Sequence, residues 1–148
     1  EKAVVFDDNG IVIFEKSGGE HNVSFTLDEL RLLEDKILTH NHPSGRSFSI
    51  EDIKLAIAWN LKGIRACGKQ YRYYLNLPTD GWTWELWEDI IEPLLEKVEE
   101  EVFNELIRLL IKGQLTIKDI EFRYWHEVWN RIAEEVGLDY GCEEWNND

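Results

Sequence analysis

The chain has 148 residues, 43% apolar and 31% charged, with a formal charge of −14. That is enough apolar material for one packed domain, and it excludes wholesale disorder. The acidity argues against nucleic-acid partners, and no apolar run reaches the ~18 residues that span a bilayer.

Ala3 to Phe6 is a short β-rich run, Asp8-Asn9-Gly10 a hairpin turn, and Ile11 to Phe14 the return strand. Asn22 to Phe25 reads as a third strand. Thr26 with Glu29 has the form of a capping box opening a short helix. Ile37-Leu38-Thr39 reads as a buried strand. Ser49 starts a helix that the pattern carries to about Leu61, with Gly63 as its stop. Ile64 to Cys67 and Tyr71 to Leu77 form two further strands around Gly68.

At Leu77-Pro78-Thr79-Asp80-Gly81 the composition changes. Residues 1–80 have a net charge of −2 and residues 81–148 a net charge of −12, and six of the seven Trp lie in the second part. Apolar residues from Leu86 to Leu110 recur every three to four positions, and so do those from Ile117 to Val136. This predicts helices near 85–112 and 117–136, with Pro93 in an early turn, Thr116 as cap and Gly137 as stop. The expectation is a mixed α/β (α+β) sheet domain over 1–80, with an acidic, Trp-rich helical extension over 81–148 packed on it. Trp87, Trp125 and Trp129 fall on the helical stripes. Trp82, Trp84 and Trp145 fall outside them and are the better surface candidates. Glu96, Glu99, Glu100 and Glu101 read as a solvated helix face or a docking surface for a basic partner.

One segment stands out chemically: Thr39-His40-Asn41-His42-Pro43-Ser44-Gly45, then Ser49-Ile50-Glu51-Asp52. In extended backbone, residues i and i+2 share a face, so His40 and His42 can reach one metal ion. Asp52, in the first turn of the next helix, can swing back towards them. Two His and one carboxylate leave a fourth tetrahedral position open, the pattern of a catalytic zinc. The same residues admit another reading: Ser49-x-x-Asp52 is a capping box, which accounts for both residues without a metal.

The complete string resembles the JAB/MPN (JAMM) metalloenzyme family, whose pattern is His-x-His-Pro, a short loop, then Ser-x-x-Asp. His40, His42, Pro43, Ser49 and Asp52 occupy those places. The wording is most similar to the RadC-type branch and to JAB-like domains of phage head-morphogenesis polypeptides. The likeness covers roughly residues 1–77, and the six-residue loop Pro43 to Phe48 is one residue shorter than the family's usual. The resemblance implies a JAB/MPN-like fold, zinc on His40, His42 and Asp52, and Ser49 as a donor to the oxyanion. It also implies a general-base glutamate before the first core strand, at Glu1, with Glu15 after the second strand as the other candidate. The implied reaction is hydrolysis of a peptide or isopeptide bond in a protein substrate, such as a basic or Gly-rich tail. The competing expectation is a non-catalytic assembly module on the same fold, for example in a phage structural protein.

Other residues carry less. His21 reads as a solvated loop residue, His126 as structural or exposed, and Cys67 as a small core residue. Cys67 and Cys142 are too few for a disulfide framework or a four-cysteine zinc site. No secretory leader is legible at the start, and the expected location is the cytoplasm (a host's, if phage-encoded), without nucleic-acid or membrane partners. The lack of any Met, with Glu1 leading directly into Ala3, predicts a segment of a larger polypeptide.

Overall fold

The computed structural model describes residues 1–19 and 23–145. Six strands form one sheet: β1 (Lys2–Phe6), β2 (Val12–Ser17), β3 (Ile37–Asn41), β4 (Gly63–Cys67), β5 (Tyr71–Asn76) and β6 (Tyr140–Glu144). Their order across the sheet is β2-β1-β3-β4-β5-β6. Every neighbouring pair is antiparallel except β3 and β4. A parallel pair needs a crossover, and helix α2 (Ile50–Ala58) lies in that connection. The other helices are α1 (Leu27–Arg31), α3 (Glu92–Ile111) and α4 (Ile117–Val136).

Register decides what faces the core. Ala3 pairs with His40 and Val5 with Leu38; His40 pairs with Ala66 and Leu38 with Ile64. Ala66 and Ile64 pair with Tyr73 and Leu75, and these with Cys142 and Tyr140. All these residues share one face. It is buried in a single cluster with Ile53 and Ile57 of α2, Leu95 and Val98 of α3, and Val128, Trp129 and Ile132 of α4. The opposite face, with Val4, Thr39, Arg65 and Tyr74, is half-buried. There the Arg65 guanidinium lies over the Tyr74 ring, 5.8 Å from its centre.

Local signals placed most boundaries. Thr26, Ser49 and Thr116 each make a capping box with Glu29, Asp52 and Asp119. Gly137 ends α4 in the left-handed region at φ 84. Three expectations need correction. Helix α2 stops at Ala58 and not near Leu61: Asn60 takes the left-handed turn at φ 52, and Gly63 opens β4 instead. Asn is the side chain that best replaces Gly in that conformation.

The expected third strand is absent at Val23–Phe25, which has no regular structure; Asn22 and His21 lie outside the described residues. Phe25 packs edge-on against Phe14, so its bulk serves the core from a loop and not from a ladder. The third correction concerns residues 81–148, which are not helical to their end. Strand β6 returns to the sheet and pairs with β5. Its signal is weak because the strand is short, with Gly141 in second place and two glutamates at its end.

A π-helical stretch, Leu86–Ile91, runs directly into α3, and Pro93 stands in the first turn. Trp87 and Trp129 are buried, and Trp125 stacks on Trp129 at 5.7 Å. Of the three surface candidates, Trp84 and Trp145 are exposed, whereas Trp82 is half-buried and donates its Nε1–H to the Leu61 carbonyl at 2.9 Å. Among the described residues no helix is long and apolar enough to cross a membrane.

Because one apolar cluster joins both parts of the chain, damage in α4 should weaken the whole molecule. Ile132 is fully buried, so Ile132→Ala is expected to cost ~2–5 kcal/mol. Urea unfolding followed by Trp fluorescence and by far-UV circular dichroism should give one coincident transition at a lower midpoint. Separate transitions for the two signals would show that the halves unfold independently.

Candidate metal centre

His40 is held by its strand. On the buried face its cross-strand neighbours are Ala3 and Ala66, whose small side chains leave room for an imidazole. His42 lies one step beyond β3, and its N–H still donates to the Cys67 carbonyl at 2.9 Å. The chain then turns: the Gly45 N–H donates to the His42 carbonyl at 2.8 Å, with Gly45 at φ 76. The turn brings the Arg46 carbonyl to 2.9 Å from His42 Nδ1. A carbonyl can only accept, so Nδ1 carries the proton, and the Nε2 lone pair is free when the ring is neutral.

Asp52 is fixed from the other side. Its N–H donates to Ser49 Oγ at 3.2 Å, and its Oδ2 accepts the Ser49 N–H at 3.0 Å. The same Oδ2 stands 3.4 Å from His40 Nε2 and 3.4 Å from His42 Nε2. The two rings are nearly perpendicular, with centres 4.4 Å apart. The capping box and the convergence on the histidines are therefore one arrangement, and the six-residue loop is long enough to produce it.

These residues fit a metal ion. Charge-assisted N–H···O contacts close to ~2.7–2.9 Å, so 3.4 Å is loose for an ion pair. Ligand atoms bound at ~2.0–2.2 Å around a tetrahedral ion stand about 3.3–3.5 Å apart. Both ring nitrogens of His40 are buried and neither has a hydrogen-bond partner among the described residues, a costly state for polar atoms. One ligand atom from each of His40, His42 and Asp52 lies within 4.8 Å of the others, so the group could hold a metal ion.

The electrostatics agree. Burial pushes the Asp52 carboxyl up, but the two imidazoles outweigh it and hold it well below the usual carboxylate range. Burial lowers His42, yet the Asp52 carboxylate, the Arg46 carbonyl and the charge of Glu1 together raise it above its ordinary value.

The group lines a cleft of ≈ 560 Å³ whose walls include Glu1, Phe25, Arg46, Ser49, Leu55 and Trp125. Glu1 shares the cleft and acts on His42. Glu15 does not line it: Glu15 pairs with Val4, faces the opposite side of the sheet and lies 3.4 Å from Lys2 Nζ. Ser49 lines the cleft, and capping uses an oxygen lone pair and not the hydroxyl proton.

His126 does not line the cleft; its Nδ1 lies 2.9 Å from the Tyr140 hydroxyl. Cys67 and Cys142 are free thiols, each pushed up by burial. The Arg46 carbonyl that orients His42 is a backbone group with no sequence signature. Trp125 carried only a helical-stripe signal.

Metal binding must displace protons from the imidazoles. Because His42 is raised, Co²⁺ affinity should fall as the pH falls, starting above the pH at which an ordinary histidine competes. Competition titrations against a chelator across pH would measure this, and a pH-independent affinity would exclude the imidazoles as ligands. His40→Ala and His42→Ala should each weaken binding beyond the ~10–100-fold typical of outer-shell changes.

No protein-family model, curated protein or solved structure matches this chain.

Proposed function

We propose that the chain is a zinc-dependent hydrolase of peptide or isopeptide bonds, of JAB/MPN type. The observation that carries this reading is the convergence of His40, His42 and Asp52 in a cleft that Glu1 also lines. When bound there, zinc supplies Lewis-acid polarisation of a carbonyl and lowers the pKa of water towards ~7. The protein's own groups account for the remaining tasks. Asp52 and the two imidazoles hold the ion, and the Arg46 carbonyl keeps His42 in the tautomer whose Nε2 lone pair is free. The Glu1 carboxylate takes a proton from water and returns it to the leaving amine. The Ser49 hydroxyl donates to the oxygen on which negative charge develops. Phe25, Leu55 and Trp125 exclude water and take apolar portions of the substrate, a protein or peptide chain.

Zinc has only nitrogen and oxygen donors here, and two imidazoles with one carboxylate suit it well. The second reading is a non-catalytic module, which the capping role of Ser49 and Asp52 would favour if no metal were bound.

Glu1→Gln separates binding from turnover. It should leave zinc stoichiometry unchanged and lower peptide hydrolysis by at least the ~10²–10⁴-fold that general acid–base groups contribute. Metal analysis of protein purified without chelator, beside hydrolysis of a quenched fluorescent peptide library, gives both readings. Bound zinc with hydrolysis unaffected by Glu1→Gln would remove Glu1 from the mechanism. Absence of both zinc and hydrolysis would leave the assembly-module reading.

A further inference from the structure

The loop from Pro43 to Phe48 connects the two histidines to Asp52, so its shape sets their spacing. Its grip comes from distant parts of the chain. The Trp129 Nε1–H in α4 donates to the Phe48 carbonyl at 2.7 Å, within the core. The Tyr140 hydroxyl in β6 bonds Ser47 Oγ at 2.7 Å and His126 Nδ1 at 2.9 Å. The Tyr73 hydroxyl in β5 donates to the Gly45 carbonyl at 3.1 Å. Phe122 of α4 lies so close that a Cβ on Gly45 would come within 2.9 Å of its ring.

Ser47 and Phe48 are almost wholly buried, so their polar groups need these partners. Burial raises the Tyr140 phenol far above its ordinary value, which keeps its proton in place. A phenol can donate once and accept as well, so it can serve Ser47 and His126 together. The grip also reaches a ligand: the Phe48 ring lies between His40, 6.4 Å away and stacked, and Tyr140, 6.2 Å away.

We propose that α4 and β6 clamp this loop, and that Tyr140 and Trp129 are positioning residues that set the coordination geometry of His40, His42 and Asp52. The role rests on the metal-centre reading and extends it to the second part of the chain. Metal ligands held loosely lose affinity, because the ordering they lack must then be supplied at binding. Outer-shell partners are typically worth 10–100-fold in affinity. The clamp is such a shell, acting on the backbone between ligands and not on the ligands themselves.

The test compares the whole chain with Tyr140→Phe, Trp129→Phe and Glu143→Gln. Tyr140→Phe removes one oxygen and preserves the ring, so it is the variant best suited to keep the fold. Glu143 lies on the same strand as Tyr140, with its side chain on the opposite face, and serves as the control. Three quantities are read: Co²⁺ affinity, the visible absorption of bound Co²⁺, and amide hydrogen exchange of residues 43–48 in metal-free protein. Tyr140→Phe and Trp129→Phe should each lower Co²⁺ affinity about 10–100-fold, shift the absorption bands and speed exchange in the loop. Glu143→Gln should change none of these. If the parent binds Co²⁺ and both clamp variants match it in affinity, spectrum and exchange, the clamp is overturned while the metal centre stands. An equal loss in Glu143→Gln would reduce the effect to general destabilisation and also overturn it. A parent chain that binds no Co²⁺ overturns the metal centre, and with it this role.

Discussion

The site depends on a single oxygen, Oδ2 of Asp52. It accepts the Ser49 N–H at the start of α2 and also stands 3.4 Å from an imidazole nitrogen of His40 and of His42. Helix capping is usually worth ~1 kcal/mol and is a matter of stability. Here it also fixes a charged oxygen against two potential co-ligands. The carboxylate does not have to be ordered when a cation arrives, because the helix start has already ordered it. The two imidazoles hold the half-buried Asp52 carboxyl well below the usual carboxylate range, and a helix N-terminus is itself a favourable place for negative charge. The arrangement has a consequence for variants. Asp52→Asn would retain a side-chain acceptor for the cap but lose the anion, whereas Ser49→Ala would keep the anion but loosen its position.

The sheet supplies the second fixed element. His40 sits on β3, near the middle of six strands and paired on both sides, where backbone motion is most restricted. A rigid strand, a capped helix and the loop between them thus define the three donor positions. The two regular elements are stiff for local reasons. The loop is not, and this explains why so many long-range hydrogen bonds end on it.

The legible parts of this site were those with short periods. The two-residue repeat of a strand put His40 and His42 on one face, and the three-residue step of a capping box located Asp52. Both features are encoded within thirteen consecutive residues, His40 to Asp52. That Glu1 lines the cleft and Glu15 does not follows from strand register: Glu15 opposite Val4 faces the other side of the sheet, and no local pattern states that pairing. The hold on the loop was less visible still. Trp129 and Phe48 are 81 residues apart, and Tyr140 and Ser47 are 93 apart. Such contacts exist only after α3 and α4 have folded back and β6 has joined the sheet. Strand β6 was itself hidden, because an edge strand needs little apolar content and Tyr140-Gly141-Cys142 supplies little.

The acidity of the second part has partly structural uses. Glu99 accepts from the Tyr124 hydroxyl at 2.9 Å, and Glu105 pairs with Arg131, so both join α3 to α4. Trp87 and Trp129 are buried in the common core. Of the features that suggested a docking surface, Trp84 and Trp145 are exposed, and so are the carboxylates of Glu96, Glu100 and Glu101. In water the field of such carboxylates reaches only ~8 Å at physiological ionic strength. Glu1, Glu51 and Asp52 lie within the cleft itself, where low-dielectric walls weaken screening. Arg46, which also lines the cleft, is paired with Glu121 of α4 at 3.3 Å. The second part of the chain therefore meets the site directly, through Trp125 in the cleft wall and through the hydrogen bonds that α4 and β6 make to the loop 43–48.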